Sequence, residues 1–195
     1  MAKKESTFIN MAVTLLVITV IAAGALGYVY QITYQPIQAS LLQKKLTAIK
    51  EVVPDFNNNP QAEMYKIATA DGTDSLECYP AKKDGILLAT AIKTYTMNGF
   101  SGYIGMMVGL KPDGTIVNTS VLEQKETPGL GTKMVLPEFR NQFKEKNPGS
   151  WVLKVKKDGG SVDAITASTI SSRAFCDAVE RAFQAYEKGD RKSVV

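Results

Sequence analysis

The chain has 195 residues, 45% of them apolar and 22% charged, with a formal net charge of +4 and no histidine. These values suit one sizeable globular core and exclude extensive disorder, and the scattered lysines and arginines form no aromatic-interleaved basic stripe, so no nucleic-acid partner is expected. Without histidine there is no His-ligated zinc, copper or haem and no usual hydrolase base, and Cys78 and Cys176 are too few for a self-contained four-cysteine iron–sulfur cluster. An electron carrier here would be organic, or a cluster shared with another subunit.

Lys3 and Lys4 precede a charge-free run from Phe8 to Tyr30. Its 23 residues, at about 1.5 Å each, can cross a hydrocarbon core of about 30 Å. The run reads as a transmembrane helix in the cytoplasmic (inner) membrane. Residues 1–7 stay in the cytoplasm, Tyr28 and Tyr30 sit at the far interface, and everything after Gln31 lies on the external, periplasmic side. Ala23-Gly24-Ala25 keeps a cleaved signal peptide open as the alternative, although apolar character continues to Val29. Either way the rest of the chain is exported.

Gln38 to Val53 reads as a second, amphipathic helix with Leu41, Leu42, Leu46, Ile49 and Val53 on one face. Pro54 ends it, and Pro36 is expected to separate it from the membrane span by a short joint. Strand patterns follow at Met64 to Thr69, Leu76 to Tyr79, Gly85 to Met97, Gly102 to Leu110 and Thr115 to Glu123. Lys111-Pro112-Asp113-Gly114 joins the last two as a hairpin, so an antiparallel sheet is expected. Gly102 and Gly105, at a strand entrance, either admit a flat ligand or mark a bulge.

Glu126-Thr127-Pro128-Gly129-Leu130-Gly131-Thr132-Lys133 is a loop whose backbone can approach a ligand closely, or a tight connection into a helix around Pro137 to Phe143. It has neither the Walker spacing nor a dinucleotide-binding glycine pattern. Trp151 to Lys156 alternates like a strand, and Lys157-Asp158-Gly159-Gly160 turns the chain. In Asp163 to Phe175, hydroxyl residues crowd into Thr166 to Ser171. A helix then runs to about Lys188 with Phe175, Val179, Phe183 and Tyr186 on its apolar face. Its first turn carries unpartnered N–H groups and a partial positive charge, suited to a phosphate, although Ser and Thr there also serve as ordinary caps. The fold class is α+β: one N-terminal transmembrane helix, a single domain over 31–188 with an antiparallel sheet and flanking helices, and a tail at 189–195.

Behind an N-terminal anchor, Ser101-Gly102-Tyr103-Ile104-Gly105, the Glu126 to Lys133 loop and Asp163 to Ser172 together resemble the FMN-binding family. The similarity is strongest to the G subunits of Rnf-type ion-translocating electron transport complexes, with the C subunits of sodium-translocating NADH:quinone reductases as relatives, and it spans nearly the whole chain. In that family FMN is attached through its phosphate to the last threonine of an S/T-G-A-T motif by a flavin transferase that uses FAD. The resemblance therefore implies FMN as cofactor, held as a phosphoester on Thr169 within Thr166-Ala167-Ser168-Thr169. Ala167 stands where the motif has glycine and restricts the backbone; Ser168 stands where it has alanine and adds a second hydroxyl.

A phosphodiester at Thr169 would meet Thr166, Ser168, Ser171 and Ser172, with Arg173 near in sequence. The isoalloxazine ring is expected between three stretches: Thr166 to Ser171, including Ile170; Glu126, Thr127, Gly129, Leu130, Gly131 and Lys133; and Gly102 with Tyr103. No metal and no catalytic acid or base are expected. The resemblance implies an electron-relay subunit among other membrane subunits of a ferredoxin:NAD+ oxidoreductase complex, matured by the flavin transferase. A span without intramembrane charge offers no ion path, so pumping falls to other subunits. A membrane-anchored non-redox interaction module and a stand-alone or sensory FMN-binding domain are the alternatives. Cys78 and Cys176 could pair as a disulfide, sit buried as small core residues, or help ligate a shared metal centre.

Overall fold

The computed structural model describes residues 7–190; Lys3, Lys4 and the tail beyond residue 190 lie outside the described residues. The chain divides into two compact units, residues 1–44 and residues 45–195.

Helix α1 (Phe8–Val52) is long and apolar enough to cross a membrane, and its apolar side chains from Phe8 to Tyr30 are exposed. The expected joint at Pro36 is absent: the proline lies inside one continuous helix. Proline removes one backbone donor and crowds the carbonyl four residues back, at about 3 kcal/mol. Yet Gln31 to Leu46 holds neither a glycine nor a second proline, so every other helical bond in the segment remains available.

The second unit is built on a five-stranded antiparallel meander: β1 (Tyr65–Ala68), β2 (Ser75–Lys83), β3 (Ile86–Gly99), β4 (Gly102–Leu110) and β5 (Ile116–Gln124), hydrogen-bonded in that order. The Lys111 to Gly114 hairpin forms as expected. Gly114 donates its N–H to the Lys111 carbonyl (2.9 Å) at φ +85°, a conformation glycine adopts without strain. Strand β2 runs on through Pro80 to Lys83, past the expected end at Tyr79. Pairing with β1 covers only Ser75 to Cys78, so Pro80 sits on an edge stretch where no ladder donor is missed.

Both faces of the sheet are buried. On one, Ile92, Ile104, Met106, Val108 and Leu110 meet Ala174, Phe175, Ala178, Val179 and Ala182 of helix α3 (Thr169–Asp190). The other face is closed by the last turns of α1. There Tyr79, Ala91 and Gly109 form one row across three strands, stepping from a large side chain to none. A methyl on Gly109 would lie 1.7 Å from the Val52 carbonyl oxygen, so only glycine admits the end of α1. Burial on two faces explains why β4 is apolar from Ile104 to Leu110 instead of alternating.

Between β5 and α3 come a 3-10 turn at Gly131–Val135, the short helix α2 (Pro137–Arg140) and a further 3-10 turn at Asn141–Phe143. Trp151 to Lys156 is not the expected strand. It folds back on itself, Lys156 N–H to Val162 O (2.8 Å) and Val162 N–H to Lys154 O (2.9 Å), with Gly159 at φ +79° making the reversal. Its alternation is real but serves burial: Leu153 and Val155 enter the core, and Val155 makes an isolated parallel bridge with Val162 instead of joining a strand.

Candidate functional site

Helix α3 begins at Thr169, and its first turn is fixed from several directions. Phe175 is fully buried against Phe139 (ring centroids 5.1 Å, 84°) and Phe143 (4.8 Å), and Phe143 meets Trp151 edge-on. Thr94 Oγ1 of β3 donates to the Ala178 carbonyl (2.9 Å) and Thr96 Oγ1 to Asp177 Oδ2 (2.6 Å). Aromatic packing sets the depth of the helix, and the two threonines set its position along β3.

The Thr166 to Thr169 loop is tied to that helix by one side chain. Ser172 Oγ donates to the Ser168 carbonyl and accepts from the Ile165 N–H, both at 2.9 Å. The loop can close because Ala167 adopts φ +60°, the left-handed conformation that the motif's glycine would take freely. An alanine there carries roughly 1–2 kcal/mol of backbone strain. Ser168 is 8% exposed and Thr169 half-buried, while Thr166, Ala167 and Ile170 are exposed. The Ser172 N–H is bonded to the Ser168 carbonyl (3.0 Å), which leaves the N–H groups of Thr169, Ile170 and Ser171 ahead of it at the helix start.

All three stretches singled out in the sequence converge on the carboxylate of Glu126, which is 4% exposed. Its Oε1 accepts the Ser101 N–H (2.9 Å), at the β3–β4 turn leading into Gly102 and Tyr103. Its Oε2 accepts the Ser171 hydroxyl (2.5 Å), in the first turn of α3. A methyl on Gly131 would lie 2.6 Å from both Glu126 Oε2 and Ser171 Oγ, so the glycine makes room for this bond. Gly129, at φ +75°, makes the turn before it, where the Leu130 N–H reaches the Thr127 carbonyl (3.1 Å). Thr127, Leu130 and Lys133 are exposed on the loop.

At the strand entrance, Gly102 takes φ +90° and the register slips between Thr96 and Gly99 and again at Gly105, so the glycines mark bulges. The Tyr103 ring lies over Gly105 and stacks on Tyr95 (5.9 Å, 21°). Burial, with Glu123 nearby, pushes its phenol above the ordinary value.

Two hydroxyls named as phosphate donors are committed elsewhere, Ser171 to Glu126 and Ser172 to Ser168. Arg173 is likewise engaged: its Nε and Nη2 each meet an Asp158 carboxylate oxygen at 2.6 Å, and that bond holds the Asp158 carboxyl below its usual range. Thr166, the N–H groups of the first turn and Lys133 remain. Sequence reasoning missed Phe100, 67% exposed beside Ser101. With Leu130 (39%) beside Gly131 and Ile170 (47%) beside Ser171, it gives an exposed apolar side chain next to Ser101, Gly131 and Ser171. The signal was available in a large aromatic residue between Gly99 and Gly102.

Cys78 and Cys176 are both buried and form no disulfide, which matches the core reading. Burial pushes the Cys176 thiol up to about 12. Among the described residues, no group of three or more acidic or cysteine side chains is placed to hold a metal ion.

Residues 99–184 match the FMN-binding domain family. The chain is 35% identical over 178 residues to the G subunit of the ion-translocating oxidoreductase complex of Erwinia tasmaniensis, covering 87% of this chain and 85% of that protein. It is 31% identical over 189 residues to the G subunit of the Na(+)-translocating ferredoxin:NAD(+) oxidoreductase complex of Acetobacterium woodii, covering 91% of each. Its fold is similar to the crystal structure of the C subunit of the Na(+)-translocating NADH-quinone reductase from Parabacteroides distasonis, with a TM-score of 0.51, 24% identity, and 75% and 82% of the two chains covered. With an FMN-binding domain and this degree of identity over most of its length, the chain belongs to the family of G subunits of ion-translocating oxidoreductase complexes.

Proposed function

We propose that this chain is the FMN-carrying electron-relay subunit of a membrane-bound ion-translocating ferredoxin:NAD+ oxidoreductase, with the flavin attached through its phosphate to Thr169. The observation that carries the attachment is the place of Thr169: first residue of α3, half-buried, beside unbonded N–H groups, where the three stretches meet at Glu126. Those N–H groups and the helix dipole suit a phosphodiester, and the exposed Thr166 hydroxyl and Lys133 ammonium can add to them. Phe100, Leu130 and Ile170 offer an apolar rim for a flat ring. Ser168, more buried than Thr169, is the weaker acceptor.

When bound, FMN supplies the electron transfer; the chain holds it, orients it and tunes its surroundings. Attachment also keeps the cofactor on an exported domain that has no access to the cytoplasmic flavin pool. Residues 8–30 anchor the chain in the cytoplasmic membrane, residues 1–7 stay inside, and the domain lies on the external side, next to the other subunits of the complex. Na+ or H+ movement belongs to those subunits.

Intact-mass spectrometry and peptide mapping test the reading, on chain made in a host with the flavin transferase. One added FMN on the peptide holding Thr169 is expected; an unmodified threonine would overturn the attachment. Orientation is read by protease protection of the domain in sealed vesicles. The interaction-module alternative predicts a non-fluorescent band in a denaturing gel from the same host.

A further inference from the structure

We infer that Glu126 is a positioning residue for flavin attachment: one buried carboxylate holds the first turn of α3, the β3–β4 turn and the glycine loop in the register that presents Thr169. The inference rests on the attachment reading above.

Acidic side chains are seldom buried this fully without a cation. Among the described residues, the ion pairs do not include Glu126, and its donors are neutral: a backbone N–H at Ser101 and a hydroxyl at Ser171. A tie needed only for stability is made as well by apolar packing, because desolvation offsets most of what a buried charge contributes. The arrangement around Glu126 is nevertheless specific. Its own N–H is fixed by Gln124 Oε1 (2.6 Å), and Gly99 and Gly131 clear its two oxygens, since added methyls there would stand 2.7 and 2.6 Å from Oε1 and Oε2. Ser171 is two residues from Thr169 in the same helical turn, so fixing one fixes the other.

In the attachment step the Thr169 oxygen bonds to the FMN phosphorus of FAD, the pyrophosphate link breaks, AMP leaves with the bridging oxygen, and the threonine proton passes to solvent. No electron moves and Glu126 takes no proton. Its contribution is alignment, and a displacement of about 1 Å at a reacting group can slow such a step about a hundredfold.

The test uses the full chain in detergent with purified flavin transferase and FAD, following covalent fluorescence in denaturing gels and the melting of each variant by circular dichroism. Glu126→Ala and Ser171→Ala should melt cooperatively yet label at least about tenfold more slowly, with the loss in kcat and the KM for FAD unchanged. Glu126→Gln should recover to within about threefold of wild type, because its amide oxygen still accepts from Ser101 and its amide N–H can donate to Ser171. Folded Ala variants that label at the wild-type rate would overturn the role of Glu126, as would a Gln variant no faster than Ala. If Glu126→Ala fails to fold, Ser171→Ala decides. A wild-type chain that takes no label refutes the attachment itself, whereas a labelled wild type with unaffected variants refutes only the positioning.

Discussion

Glu51 and Glu126 each join segments far apart in the chain, but with different partners. Glu51 links the last turn of α1 to β5 through Ser120 (2.6 Å) and to α2 through Arg140 (2.6 Å), and Arg140 also donates to the Thr119 carbonyl (2.8 Å). Its charge is matched by a guanidinium, and its side chain is 37% exposed. Glu126 is buried and, among the described residues, meets neutral donors. A link made for stability carries its countercharge at the rim. Glu126 sits where the proposed cofactor site is assembled, so the two carboxylates differ in burial, in partner charge and in place.

The sharpest break between the two regions is at Thr169. Thr169→Val should abolish covalent flavin while leaving the melt unchanged, and Ser168→Ala should leave labelling intact, both read by in-gel fluorescence. A labelled Thr169→Val would move the acceptor to another oxygen. Next comes Gly131→Ala, which forces a methyl against Glu126 and Ser171 and should cost about 1–3 kcal/mol in denaturant unfolding.

Ala167→Gly should act in the opposite direction. Relief of about 1–2 kcal/mol of left-handed strain is partly offset by about 0.5–1 kcal/mol of glycine entropy, for a net stabilisation of about 0.5 kcal/mol. The smallest effect belongs to Glu51. Burial raises its pKa, but the hydrogen bonds from Ser120 and Arg140 outweigh burial and hold it below the ordinary 4.5. A depressed folded pKa gives stability that is present above about pH 4.5 and lost as pH falls through the folded value. The melting temperature should therefore drop in that acid window, and Glu51→Gln should flatten the drop; exposure keeps the effect modest.

The sheet and α3 were legible because their signals are local: short strand-forming runs bounded by turn residues, the Pro-Asp-Gly turn, and apolar residues at helical spacing from Phe175. The three stretches of the site were legible as stretches, but their meeting point was not. A carboxylate bonded to Ser101 and Ser171, 25 and 45 residues away, leaves no periodic trace. Pro36 and Trp151 to Lys156 misled for the same kind of reason. A proline rule describes one lost bond, and alternation describes burial; neither states what the neighbours supply.

The close approach of Val52 to Gly109 has a practical corollary. A water-soluble version of the domain has to start ahead of Lys45, because trimming to Pro54 would strip Ala48, Ile49 and Val52 from the sheet and wet Tyr79, Ala91 and Met107 beneath them. The short run from Lys45 to Val53 is the lid of the second core.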